Sequence, residues 1–324
     1  MDLETIIVNM VLPIILLIVG FVALILGANW LVDGATSVGI RAKLSPLVIG
    51  LTIVAFGTSL PELIINVFSC VKGSSGLAIG NIVGSNIMNI LLILGVASMI
   101  YPIDVSRISI RRDIPAGFVA TAALFVFAKY TWGSLTINWI EGLLLLVMAA
   151  GYLALTMKKN DSTNTEVEAI QIPMSWGKTI LFIVLGIGGL YLGGELVSNN
   201  AQIIAKAWGM SEAMIGLTVV AMATSLPELI TSIVAATKKN SGIAIGNVLG
   251  SNILNICVVL GISGLITPLQ FDTQMNNTLY FLFGANALML LFVFTGKGTK
   301  LSRFEGFLML LAFAAFMVYS IINQ

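Results

Sequence analysis

One long stretch occurs twice in this chain, and that duplication limits its possible folds more than any other feature. Residues 50–95 read GLTIVAFGTSLPELIINVFSCVKGSSGLAIGNIVGSNIMNILLILG, and residues 216–261 read GLTVVAMATSLPELITSIVAATKKNSGIAIGNVLGSNILNICVVLG. The offset is 166 with no gap, and 27 of the 46 aligned positions are identical. The copies agree best on their polar residues: Thr-Ser-Leu-Pro-Glu, Gly-Asn, Gly-Ser-Asn and a last Asn. Ordinary lipid-facing helices keep their apolar character and let rare polar positions drift. Polar groups held in common inside apolar runs point to a site.

The chain is 58% hydrophobic and only 10% charged, which places it in the membrane class. Its net charge of +1 gives no reason to expect nucleic acid as a partner, and the absence of His removes the usual zinc and general-base side chain. Cys70 and Cys257 fall inside apolar runs and read as small buried residues. The acidic N-terminus leads into a full-length apolar run, which reads as a first transmembrane helix and not as a cleaved signal.

The expected fold is an all-α membrane protein of ten transmembrane helices. The spans read at roughly 10–33, 46–71, 77–101, 113–130, 137–157, 178–199, 212–237, 243–267, 277–295 and 303–322. Five spans separate each position from its copy, and an odd number reverses direction. The halves are then inverted five-helix repeats, 1–157 and 177–324, joined by a polar linker at 158–176. Lys72, Lys129 and Lys206 fall on the side of both termini, and the other 13 basic residues fall opposite. Basic residues favour the cytoplasm, so both termini are expected outside the plasma membrane. A single chain is the expected unit.

Glu62 and Glu228 are repeat mates in mid-span, without Lys or Arg near enough in sequence to pair. A charge at membrane depth costs about 3 kcal/mol on insertion scales. The missing partner is therefore a cation or protons; the bland alternative is a pair of neutral structural carboxyls. Pro61 and Pro227 should break their helices near Gly57-Thr58 and Ala223-Thr224 and free backbone carbonyls there. Helical side chains lean toward the N-terminus, which sets Glu62 over Thr58 and Ser59, with the same arrangement at Glu228. The next span adds Asn81, Ser85 and Asn89, and its copy adds Asn247, Ser251 and Asn255, each trio on one helix face. These polar residues also read as glue between helices, and Asn81, Asn86, Asn247 and Asn252 as caps or bridges. Two glutamates and two Thr carbonyls offer six hard oxygens, which suit calcium, and the hydroxyls of Ser59, Ser85, Ser225 and Ser251 would also suit sodium. Glu195 has no acidic counterpart, since its mate is Asn29, and stays outside the site.

The doubled G-T-S-L-P-E and G-N-x-x-G-S-N stretches resemble the alpha repeats of the calcium/cation antiporter superfamily, in its prokaryotic sodium/calcium exchanger branch. The resemblance covers the whole ten-span chain. It implies a secondary antiporter, not an enzyme, with no cofactor beyond the transported calcium and sodium. Exchange would run by alternating access, as two gating helices slide over an eight-helix core. It also implies that calcium is held by Glu62, Glu228 and the carbonyls of Thr58 and Thr224. One sodium would use the Ala221 carbonyl, Ser225, Ser85 and Glu62. Another would use the Ala55 carbonyl, Ser59, Ser251 and Glu228, and a middle position would involve Asn89 and Asn255. The last residue of the second repeat is often Asp in the family and is Asn255 here, which removes a titratable group. Ala223 stands where the first copy has Gly57, which stiffens that break. The calcium/proton branch carries an acid in its Gly-Asn motif, and neither motif here contains one. A calcium/proton antiporter, a cation channel and a non-transporting membrane scaffold are the rival readings.

Overall fold

The computed structural model describes residues 11–71, 75–130, 136–158, 173–208, 221–271, 275–295 and 299–322. Twelve helical segments make up almost all of it. They are α1 (Leu12–Ala42), α2 (Pro46–Thr58), α3 (Leu60–Val71), α4 (75–100), α5 (109–130) and α6 (Trp139–Lys158), then α7 (Trp176–Ala207), α8 (Ala221–Thr224), α9 (Leu226–Thr237), α10 (Ser241–Ile266), α11 (Met275–Thr295) and α12 (Arg303–Ile322). Among the described residues seven helices are long and apolar enough to cross a membrane, and α2 with α3 makes an eighth as a bent pair. The expected start of the seventh span, near 212, lies outside the described residues. The helices α1 and α7 run about nine residues past their expected ends, and α5 starts four residues early. Short polar residues inside these runs do not stop a helix whose backbone bonds have no water to turn to.

Burial sorts the helices into layers. The spanning windows of α4 and α10 are 78% buried, against 28% for α1 and α7. The repeated stretch therefore supplies the centre. The outer faces of α1 and α7 expose Ile14, Ile18, Val22, Ile180, Leu181 and Val184, an apolar surface suited to a bilayer. The chain is an integral, multi-pass membrane protein. Both cysteines are buried and free, as their sequence context indicates.

Small residues set the close contacts. A Cβ on Gly27 would meet Leu190 N at 2.7 Å and Gly186 O at 2.8 Å. Gly20 lies against Gly193, and Gly34 against Thr179. Rising numbers in α1 meet falling numbers in α7, so the two long helices pack antiparallel along their length. Ser37 and Thr179 share a hydrogen bond at 2.8 Å, and Arg41 stacks on Trp176 and donates to the Met174 carbonyl. Repeat mates pack alike elsewhere: Gly95 of α4 lies on Gly306 of α12, and Gly261 of α10 lies on Gly142 of α6.

Four two-residue strands tie the loops together. β1 (Ile103–Asp104) pairs antiparallel with β4 (Lys300–Leu301), and β2 (Thr136–Ile137) with β3 (Leu269–Gln270). Each pair joins a loop from one half of the chain to a loop from the other.

Backbone meets backbone closely in the core between α2 and α10. A Cβ on Gly246 would sit 2.6 Å from Leu47 O and 2.9 Å from the Gly50 Cα. Backbone atoms cannot rotate away, so Gly246→Val must push the two helices apart. The expected cost is about 1–3 kcal/mol of stability, read as a lower thermal unfolding midpoint in detergent.

Candidate ion-binding site

The site lies where α2 gives way to α3 and α8 to α9. Pro61 and Pro227 sit in the first turn of α3 and α9, where a missing N–H is no loss. The same prolines deprive the carbonyl four residues earlier of its helical donor. The break itself falls at Ser59 (φ −83°, ψ 3°) and Ser225 (φ −93°, ψ 6°), one residue beyond the expected Gly57-Thr58 and Ala223-Thr224. Thr58 and Thr224 still complete the last turns of α2 and α8. The α2–α3 pair bends there by 43°.

Glu62 and Glu228 occupy the first turns of α3 and α9, and both are fully buried. A helix N-terminus carries roughly half a positive charge and favours an anion there. Serine before a helix usually caps its N–H groups. Here Ser225 makes no such bond, and both serines reach across the molecule. The Ser59 hydroxyl donates to Glu228 Oε1 at 3.1 Å. The Ser225 hydroxyl lies 3.2 Å from that of Ser85 on α4. Local helix geometry would put Ser59 under Glu62, but its place in the turn aims it at the glutamate of the other repeat. Ser251 and Thr58 also lie beside the Glu228 carboxyl.

Both Glu62 oxygens, Glu228 Oε2, Asn89 Oδ1, Asn255 Oδ1 and the Ser251 hydroxyl are buried without a hydrogen-bond partner. The carboxyl of Glu228 acts electrostatically on that of Glu62. Among the described residues no third acidic, His or Cys side chain joins them, and the ion pairs lie elsewhere, at Arg112–Asp113, Lys238–Asp33 and Lys300–Asp104. The cluster thus brings together two buried carboxyl groups, from α3 and α9, and the hydroxyl groups of Thr58, Ser59 and Ser251. Such a set suits a hard cation held without a thiolate or imidazole.

The remaining sequence candidates divide. Thr58 and Thr224 are buried beside the breaks. The Thr58 hydroxyl donates to Asn247 Oδ1 at 3.1 Å and to Ala55 O at 3.3 Å. The Ala55 carbonyl also takes the Ser59 N–H at 3.0 Å. Ala221 opens α8. Asn247 is a bridge: its amino group donates to Ser232 Oγ at 3.0 Å and to the Glu228 carbonyl at 3.3 Å. Sequence reasoning did not single out Ser232 or Asn66, whose amide donates to the Glu62 carbonyl at 2.8 Å. Their spacing of four from each glutamate is the signal that could have found them.

A family model described as sodium/calcium exchanger protein matches residues 12–158 and 178–322. The chain belongs to that family. It is 35% identical to inner membrane protein YrbG of Escherichia coli over 81% of this chain and 82% of that one. It is 30% identical to the sodium/calcium exchanger MaX1 of Methanosarcina acetivorans, over 94% of this chain and 97% of that protein. A solved structure of the sodium-calcium exchanger NCX_Mj superposes with a TM-score of 0.81 at 31% identity, covering 96% of this chain and 98% of the other. This family member is therefore a membrane cation exchanger.

Asn247 holds three elements at once, so its loss should be felt as stability. Asn247→Ala removes the buried bonds to the Thr58 hydroxyl, Ser232 Oγ and the Glu228 carbonyl. The expected cost is roughly 1–3 kcal/mol, measured by thermal unfolding of the purified protein in detergent.

Proposed function

We propose that the protein exchanges calcium for sodium by alternating access, with both ions competing for the site between Glu62 and Glu228. The observation that carries this reading is the pair of buried carboxyls, one from each copy of the repeat, with Glu62 Oε1, Glu62 Oε2 and Glu228 Oε2 left without a hydrogen-bond partner. Their combined charge of two is balanced by one calcium ion, with Thr58 and Thr224 as the proposed carbonyl donors. Sodium would bind on either flank: at Ala221, Ser225, Ser85 and Glu62, and at Ala55, Ser59, Ser251 and Glu228, with Asn89 and Asn255 between. Shared carboxylates make occupation by calcium and by sodium exclusive, and that sharing couples their movements. Three sodium ions against one calcium carry one net charge, which responds to voltage by about 2.3 kcal/mol per 100 mV.

The ten-span, inverted arrangement of 1–157 and 177–324 completes the reading. Three features support it. The breaks at Ser59 and Ser225 lie 166 residues apart, as do the π-helical turns Asn89–Ile93 and Asn255–Val259. The helices α1 and α7 pack antiparallel. The strand pairs each join loops that the span count puts on one membrane face. With both termini outside, the 158–176 linker is cytoplasmic. A cysteine placed there, Ser162→Cys, should react with an impermeant thiol reagent only from the cytosolic side; labelling from outside would reverse the orientation.

The coupling test is calcium uptake into sodium-loaded proteoliposomes on dilution into sodium-free medium. Glu62→Gln and Glu228→Gln should each reduce uptake to background while folding at least as stably in ion-free buffer, because a neutral amide removes a buried charge. Normal transport by either variant would refute the site. Uptake driven by a pH gradient with sodium absent would reassign the partner ion to protons.

A further inference from the structure

Four asparagines meet at the centre of the molecule, and only two of them are proposed ion ligands. Asn86 and Asn89 lie on α4, Asn252 and Asn255 on α10, and all four are buried to within 5% of complete. Their hydrogen bonds can be followed from atoms whose sense is fixed. A backbone carbonyl only accepts. The Asn252 carbonyl takes the amino group of Asn86 at 3.0 Å, and the Asn86 carbonyl takes the amino group of Asn252 at 3.4 Å. These two crossed bonds fix which end of each side chain is oxygen. Asn252 Oδ1 then accepts the amino group of Asn89 at 3.0 Å, and Asn86 Oδ1 accepts that of Asn255 at 3.2 Å. With their amino groups engaged, Asn89 and Asn255 each have Oδ1 left over. Those two oxygens are buried and have no partner.

An asparagine amide has a donor end and an acceptor end of nearly equal size, so nothing in its shape decides which faces a cavity. A flipped Asn89 would set its amino group toward the ion and its oxygen against Asn252 Oδ1, two acceptors in contact. The brace forbids this. Asn89 and Asn255 each also begin a π-helical turn. Such a turn departs from the regular bonding ladder and is frequent at functional sites. The carbonyls that anchor the brace lie three residues before those turns.

From this chain of bonds we infer that Asn86 and Asn252 are positioning residues of the exchange site: their crossed pair holds Asn89 and Asn255 with only oxygen facing the ions. The inference rests on the proposed role of Asn89 and Asn255 as ligands. The brace works across the molecule: Asn252 of the second repeat orients Asn89 of the first, and Asn86 orients Asn255. Two amide oxygens delivered in this way add ligands to the site without adding charge.

The crossing gives the test its direction. The sodium concentration for half-maximal calcium release from proteoliposomes is measured for Asn252→Ala, Asn89→Ala, Asn255→Ala and the doubles. Removing a group that orients a metal ligand typically costs about 10-fold in affinity, so each single variant should raise the sodium requirement by about that factor. Asn252→Ala should add little once Asn89 is already Ala, and its full effect should remain when Asn255 is Ala. A merely structural Asn252 would couple instead to Asn255, its neighbour one turn along the same helix, or to neither. Either result, or an unchanged sodium requirement in Asn252→Ala or Asn89→Ala, overturns the proposal. If Asn252→Ala does not fold, the mirror pair Asn86→Ala with Asn255→Ala replaces it; failure of both to fold makes the brace structural and also overturns the proposal. Glu62→Gln is run alongside. Sodium-driven release by that variant would reject the site itself, whereas its loss together with additive asparagine effects would reject only the brace.

Discussion

Two buried carboxyl groups, with no basic side chain paired to them among the described residues, are the constraint on which the other features turn. Taking an ion out of water costs several kcal/mol even after the protein relaxes, and two like charges compound the cost. Lys or Arg could have settled the charge permanently. The protein instead offers partial remedies: helix N-termini behind Glu62 and Glu228, and a hydroxyl from Ser59 on Glu228. These leave oxygens bare, and on the proposed reading the balance comes from a cation in solution. On that reading a transported ion completes the centre and then leaves it.

The framework around that centre is rigid where it can be. The helices α4 and α10 are the most enclosed spans, and they are pinned by the four asparagines between them and by glycine contacts with α2, α6 and α12. The broken helices beside them keep their irregular backbone inside protein, where carbonyls and hydroxyls find partners, as they must at this depth. Rigidity and irregularity thus come from neighbouring parts of the same repeated stretch. One part gives the frame and the other brings the charged groups to it.

Much of this was legible in the residues. The doubled Pro-Glu motif located the breaks to within one residue, and the four-residue spacing of Ser85 and Asn89, or Ser251 and Asn255, put those groups on the face that reaches the centre. Partnership across the two halves could not be read. Helical lean assigned Ser59 to Glu62, but the turn at Ser59 hands it to Glu228. Nothing in the spacing of Asn86 says that its amide meets the Asn252 carbonyl, because that contact depends on how closely α4 and α10 approach. Helix ends were also misjudged: the first span was expected to end near residue 33, yet α1 continues to Ala42, with Asp33 paired to Lys238 and Arg41 stacked on Trp176.

The glycine seam between α1 and α7 has a mechanical consequence. At 1.5 Å per residue these helices of 31 and 32 residues are about 46–48 Å long, half as long again as the roughly 30 Å of hydrocarbon they cross. Such rods sit obliquely or stand proud of the lipid. Held close by glycines spaced along the seam, they form one diagonal strut that reaches both surfaces. A strut of that kind cannot tip at one surface without tipping at the other.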